Sequence, residues 1–237
     1  MKPLKIALLF LIFCFSATAK DSTTVEFKRF ALGIHGSPDY CFRKLKAINP
    51  NIQPIIAYRE ETEFPAFGYT AGAELSFFIK KQFAISLGAN FSQKAYQTEL
   101  YTMVDNNGMP LGKVKFRYTY NYIEIPFKAN FILGKKKIHF IASAGVSSAF
   151  LLYQQNISKY EYIAGGLKET KKEQPKYIYN PFNLFLNGSI GIDCQLGKKM
   201  GLKIEPTYNY GLLQTIDASI TEKLWSAGLN IGCYIKL

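Results

Sequence analysis

Phe83-Ala84-Ile85-Ser86-Leu87-Gly88-Ala89-Asn90-Phe91-Ser92 sets Phe83, Ile85, Leu87, Ala89 and Phe91 on one side of the chain. Ser86, Gly88, Asn90 and Ser92 occupy the other. Alternation with a period of two marks a strand whose two faces meet different surroundings. The less apolar face here is small rather than charged. Small side chains suit the crowded interior of a narrow barrel. A soluble barrel of the lipocalin type, the structural alternative, turns its apolar face inward around a ligand. Its outer face, meeting water, would be rich in charge. The stretch therefore predicts a strand with lipid on its apolar side and a packed lumen on the other.

The same pattern recurs in both directions. Upstream, Phe30, Leu32 and Ile34 oppose Gly33 and His35. Tyr69, Ala71, Ala73, Leu75 and Phe77 oppose Gly72, Glu74 and Ser76. Downstream, Ile123, Ile125, Phe127, Ala129, Phe131 and Leu133 alternate with Tyr122, Glu124, Lys128 and Asn130. A fifth strand follows at Ile138–Ser147, a sixth at Phe182–Leu196 and a seventh around Leu202–Tyr210. The eighth places Trp225, Ala227, Leu229, Ile231, Cys233, Ile235 and Leu237 on one face up to the C-terminus, in position to pair with the first. Connections alternate between short turns (80–82, 134–137, 197–201) and long loops (about 43–63, 98–114, 153–180 and 212–222). Short periplasmic turns and long external loops are the pattern of outer-membrane barrels, as is an even strand count. The predicted fold is all-β: an eight-stranded antiparallel up-and-down transmembrane β-barrel.

A cleaved signal peptide is expected before it. Lys2 and Lys5 form a basic n-region, Ile6–Phe15 an unbroken apolar core, and Ser16-Ala17-Thr18-Ala19 a small-x-small site. Cleavage after Ala19 divides the chain into residues 1–19, the signal, and 20–237, the barrel domain. The apolar run is too short for a spanning helix of roughly 20 residues. Cys14 does not make a lipoprotein site, because Phe13 stands where a small residue is wanted. Export through such a signal, with strands of this kind, predicts residence in the outer membrane.

Apolar residues make up 48% of the chain and aromatics 15%, all of it beyond the signal in short alternating pieces. Loss of Lys2 and Lys5 lowers the net charge from +12 to +10. The lysines concentrate in turns and loops without an aromatic-basic motif. Solvated turns and anionic lipid head groups explain them better than nucleic acid, which is excluded as a partner. Cys41, Cys194 and Cys233 offer neither a metal-ligand spacing nor a disulfide framework, and no cofactor or metal is expected. Cys194 and Cys233 fall on lipid-facing positions.

Glu74, Glu124, Lys128, Asp193, Lys203 and Glu205 all fall on the lumen face. Charges in a low-dielectric interior are costly unless paired, so these six predict a structural network that fills the lumen rather than a pore. Tyr118, Tyr120 and Tyr122 share the phase of Glu124 and are placed at the upper mouth. Tyr208, Tyr210 and Trp225 are the candidates for the interfacial girdle. Pro126 and Pro206 cannot donate to a ladder, which predicts bulges or weak pairing there.

Tyr120-Asn121-Tyr122-Ile123-Glu124-Ile125-Pro126-Phe127-Lys128 resembles a recurrent element of the PorT-like outer-membrane β-barrel family, with Tyr122, Ile123, Glu124, Ile125 and Pro126 as its core. Phe140-Ile141-Ala142-Ser143-Ala144-Gly145-Val146 resembles that family's next strand, which carries an Ala-Gly step. The resemblance implies an integral outer-membrane barrel and, through the founding member, a tie to a protein-secretion system. It supplies no catalytic residues.

Three functional readings follow. The first is a non-enzymatic envelope barrel, structural or interacting, that presents external loops, in contact with outer-membrane lipid and with other envelope proteins. The second is an accessory component of an outer-membrane secretion system, as the resemblance implies. The third is a rim-located enzyme acting on lipid or peptide around His35, which Ser37 and Asp39 follow at alternate positions. Shared strand phase alone does not supply triad geometry, so no catalytic residue is assigned.

Overall fold

The computed structural model describes residues 28–134, 137–163, 166, 168–175, 179–197 and 199–237. The expected signal, residues 1–19, lies outside them. Among the described residues there are ten strands, one α-helix and a single 3-10 turn (Pro50–Ile52): β1 (Phe30–Ala47), α1 (Gln53–Thr62), β2 (Glu63–Lys80), β3 (Phe83–Thr98), β4 (Tyr101–Val104), β5 (Pro110–Leu133), β6 (Ile138–Tyr162), β7 (Lys168–Glu173), β8 (Phe182–Gln195), β9 (Met200–Gly211) and β10 (Ile220–Lys236).

Eight of these strands form a ring in the order β5-β3-β2-β1-β10-β9-β8-β6, closed by pairing of β5 with β6. Every pairing is antiparallel, and the first strand meets the last, from Ala31 opposite Lys236 to Ala47 opposite Ile220. The apolar positions point outward and stay exposed: Ile34, Leu87, Phe127, Phe131, Phe140 and Ile231 among them. A surface so widely apolar matches lipid and not water. Aromatics gather toward its long-loop edge, where Tyr208 stacks on Trp225 at 6.1 Å and Phe150 meets Phe182 at 5.4 Å.

Pro126 and Pro206 produce gaps rather than bulges. The β3–β5 ladder passes from Leu87/Phe127 to Asn90/Glu124, and the β8–β9 ladder from Ser189/Thr207 to Ile192/Ile204. Both resume without a shift of register. Weak pairing, not an inserted residue, is how the barrel accommodates a missing N–H.

The long connections are more ordered than their polarity suggested. β1 runs through Arg43 to Ala47, within the stretch read as a loop over 43–63. The rest of that stretch holds a 3-10 turn over Pro50–Ile52, capped by Asn49, whose side chain accepts the Asn51 N–H, and this turn runs directly into α1. Among α1 side chains only Ile56 and Thr62 are buried, so it carries no apolar stripe that would announce it. In the stretches read as loops over 98–114 and 153–180, the described residues include hairpin extensions, β4 with the start of β5 and the end of β6 with β7. β5 and β6 are 24 and 25 residues long, whereas roughly 9–11 tilted residues cross a bilayer. Above the membrane they continue as a four-stranded paddle, β4-β5-β6-β7.

Gly145 is where two strands of the ring crowd each other. A Cβ there would stand 2.1 Å from the Phe127 carbonyl oxygen and 2.9 Å from the Lys128 side chain, whereas one at Gly188 would meet nothing within 4 Å. Gly145→Val is expected to abolish the heat-modifiable folded band on a detergent gel of refolded protein, and Gly188→Val to retain it. Equal folded fractions in the two variants would contradict this packing.

Candidate functional site in the barrel lumen

Residues at alternate positions on eight strands converge on one narrow space, and there they sort into layers. At the short-turn end Ala31, Phe78, Ala84, Ile132, Ile141 and Tyr234 form an apolar floor. The Tyr234 hydroxyl donates to Asp193 Oδ1 at 2.7 Å, which gives that buried carboxylate a partner at the floor itself.

The next layer centres on Glu74. Its carboxylate is ion-paired with Lys128, two strands away in the ring on β5, and with Lys203 Nζ at 3.4 Å, three strands away on β9. Three strands, β2, β5 and β9, are thus tied together through one acid. Both lysines are largely buried, with side chains 19% and 14% exposed. Glu205, on the neighbouring level, accepts from Ser189 at 3.0 Å and from Ser143 at 3.4 Å.

Above Glu74 lies a polar cavity of about 60 Å³, lined by His35, Thr70, Asn90, Glu124, Lys128 and Glu205 among others. A water needs roughly 10–15 Å³ by this kind of measure, so the cavity has room for a few. Asn90 Oδ1 and Glu124 Oε1 are its buried acceptors without a hydrogen-bond donor among the described residues.

A second ionic layer caps the cavity. Asp39 accepts from Ser37 at 2.7 Å, from Thr70 at 2.5 Å and from Lys94 at 3.5 Å. Lys94 also donates to Ser226 at 3.0 Å and stands 3.9 Å from Glu124. Over this, Tyr96, Tyr120, Tyr122, Phe185 and Leu224 fill the upper lumen. Tyr122 and Phe185 meet edge to face at 5.8 Å, a preferred aromatic geometry. The Tyr120 hydroxyl donates to Glu222 at 2.7 Å, and Arg43 bridges Glu222 and Glu63 while lying 3.9 Å over the Tyr96 ring.

Of the six charged residues read from the sequence, Glu74, Lys128 and Lys203 thus form one cluster. Glu124, Asp193 and Glu205 have different partners: Lys94, Tyr234 and a serine pair. His35 sits on the cavity beside Lys128 and Glu205, deeper than the outer rim. Ser37 gives its hydroxyl hydrogen to Asp39, so the acid there holds the hydroxyl. Tyr120 and Tyr122 are fully buried in the upper plug and Tyr118 packs against it.

The upper ionic layer and its lid were not assembled from the sequence. Arg43, Glu63 and Glu222 fell in stretches read as loops, and Lys94 lay beyond the end assigned to the third strand. Their signal was phase. Lys94 continues the series Ser86, Gly88, Asn90, Ser92, and Glu222 continues Ser226 and Leu224.

Glu74 gives the sharpest test of this packing. Glu74→Gln leaves two lysines in the lumen without their carboxylate, and removal of one partner from a buried ion pair costs roughly 3–5 kcal/mol. Urea unfolding from lipid vesicles is expected to report a loss of that order. Wild-type stability would show that the lysines relax to water.

The chain matches a family model described as the outer membrane protein beta-barrel domain over residues 15–217. No curated protein matches it. Among solved structures it is similar to neisserial surface protein A, at 11% identity and a TM-score of 0.46, over 88% of this chain and 97% of that one. It is also similar to the N-terminal β-barrel domain of Pseudomonas aeruginosa OprF, at 11% identity and a TM-score of 0.40, over 88% and 99%. OprG of the same organism gives 9% identity and a TM-score of 0.42, over 89% and 97%. With the family match spanning most of its length and a closed ring of eight strands, the chain belongs to the outer membrane protein beta-barrel domain family and resides in the outer membrane.

Proposed function

We propose that this barrel is a non-enzymatic envelope protein that presents its long-loop end to another envelope component. The observation that carries this reading is the length of β5 and β6. Both continue far beyond what a bilayer requires and are widened by β4 and β7 into a paddle. A plug of paired charges and aromatics beneath it favours a rigid platform over a conduit, since eight strands enclose a space that side chains just fill. Loops displayed on such a scaffold are where binding residues concentrate.

Replacing the paddle above Arg117 and Ile157 with a short turn tests the reading. The barrel is expected to assemble in normal amount and to keep its heat-dependent gel shift, while surface binding or envelope integrity is lost. Normal integrity and surface binding in that strain would overturn the proposal.

The finer reading, an accessory role in protein secretion, rests on the Tyr122–Pro126 segment and its resemblance to the PorT-like family. Purification in mild detergent is expected to bring a secretion component with the barrel, and recovery of none would remove this version. For the rim-enzyme reading, a His35→Ala strain is expected to show unchanged lipid A and peptide turnover. Altered turnover of either would establish an enzyme.

A further inference from the structure

The paddle has two faces of different chemistry. In β5 the residues that share the phase of lipid-facing Ile123 and Ile125 are Lys113, Lys115 and Arg117. The β5–β6 ladder shifts register between Asn121 and Tyr122 of β5, where Leu152 of β6 has no partner across from it. Above that point Tyr153, Ile157, Lys159 and Glu161 take the outward side, opposite Asn121, Arg117, Lys115 and Lys113. β7 adds Lys168 opposite Glu161 and Lys172 opposite Ile157. The outward face thus gathers Lys113, Lys115, Arg117, Lys159, Lys168 and Lys172. Among the described residues of the paddle it holds one acid, Glu161, engaged by Lys168 at 3.1 Å.

The other face is mixed. Val114 and Ser158 are buried on it, Lys171 is 3.7 Å from Glu169, and Lys171 also lies 5.1 Å over the Tyr160 ring. Sorting of positive charge onto one side does not follow from folding. It runs against it, because Lys115 and Lys159 stand directly opposite each other, and like charges in a cross-strand pair destabilise a sheet. An anion shared by the two would reverse that sign.

Position selects the anion. The basic face continues the lipid-facing exterior of the barrel. Tyr153, exposed at 41%, marks the aromatic edge of that exterior. Arg117 pairs four positions beyond Tyr153 and Lys159 lies six beyond it. At roughly 3.3 Å per residue these are about 13 and 20 Å along tilted strands. That is the level of bulky headgroups projecting from an outer leaflet, on the side that faces them. We propose that the outward face of the paddle binds the phosphate groups of outer-leaflet glycolipid. This interaction is separate from recognition of a protein partner by the loops, and it anchors the paddle against the membrane surface.

The full-length barrel in neutral detergent would be titrated with diphosphorylated lipid A, with its dephosphorylated form and with heparin. Binding would be followed by native mass spectrometry. Wild type is expected to bind the phosphorylated lipid at least ten-fold tighter than the dephosphorylated one, with the preference falling in high salt, as screening requires. The combined variant Lys113→Gln, Lys115→Gln, Lys159→Gln and Lys172→Gln is expected to lose the preference while keeping the heat-modifiable band. Equal affinity of wild type for the two lipids would overturn the proposal, as would a variant that retains the ten-fold preference. Heparin binding without phosphate-dependent lipid binding would overturn it in favour of a soluble polyanion. Because the substitutions leave loop lengths intact, surface binding in the same variant separates failure of this inference from failure of the interaction role.

Discussion

Backbone amides and carbonyls have no water to bond in hydrocarbon, and each unpaired group there costs several kcal/mol. A sheet that crosses a bilayer must therefore have no edge. The pairings of β1 with β10 and of β5 with β6 remove both edges, and most other features follow from that closure. Lipid fixes the outward side chains as apolar. The circumference of eight strands fixes the lumen as a space to be filled. Even the prolines obey it, since each interrupts a ladder on one side only and leaves the register of the ring unchanged.

Filling the lumen with charge brings a different constraint. Desolvation makes Glu74, Lys128, Lys203, Asp39 and Lys94 poor contributors of net stability even when paired. Their value lies in discrimination. A one-residue slip of any strand exchanges its two faces, and it would carry these groups into lipid. An apolar lumen would tolerate the same slip far more cheaply. The ionic layers, contributed by β1, β2, β3, β5 and β9, thus specify register around the barrel as strictly as the apolar exterior does.

How much of this was readable follows from the same chemistry. Strand positions within the membrane were legible because lipid and lumen impose opposite demands on neighbours, as Phe83–Ser92 shows. The plug was half legible. Glu74, Lys128 and Lys203 stand out against small residues, but that Glu74 takes both lysines depends on strand tilt and stagger, which periodicity does not encode. Beyond the membrane the code fails. Arg43, Lys94 and Glu222 obey the lumen phase, but on strand segments where Lys44, Gln93 and Lys223 enter the outward phase, so the alternation that marks a strand breaks down. α1 was hidden for a related reason: it buries little and has no amphipathic stripe. Lys159 required more again, because its facing depends on one unpaired residue, Leu152.

Closure of the ring through β1 and β10 also governs how the molecule is made. β1 finds β2 almost at once, but its other edge pairs with a strand almost the whole chain away. Until β10 is synthesised, exported and inserted, the hydrogen-bonding edge of Phe30–Ala47 is an open template, and such edges recruit other chains. Contacts so distant in sequence are slow to form, because loop closure must precede them. The interval between the first and last strand is thus the period of greatest hazard, when the open edge of β1 is free to pair with another chain instead of with β10.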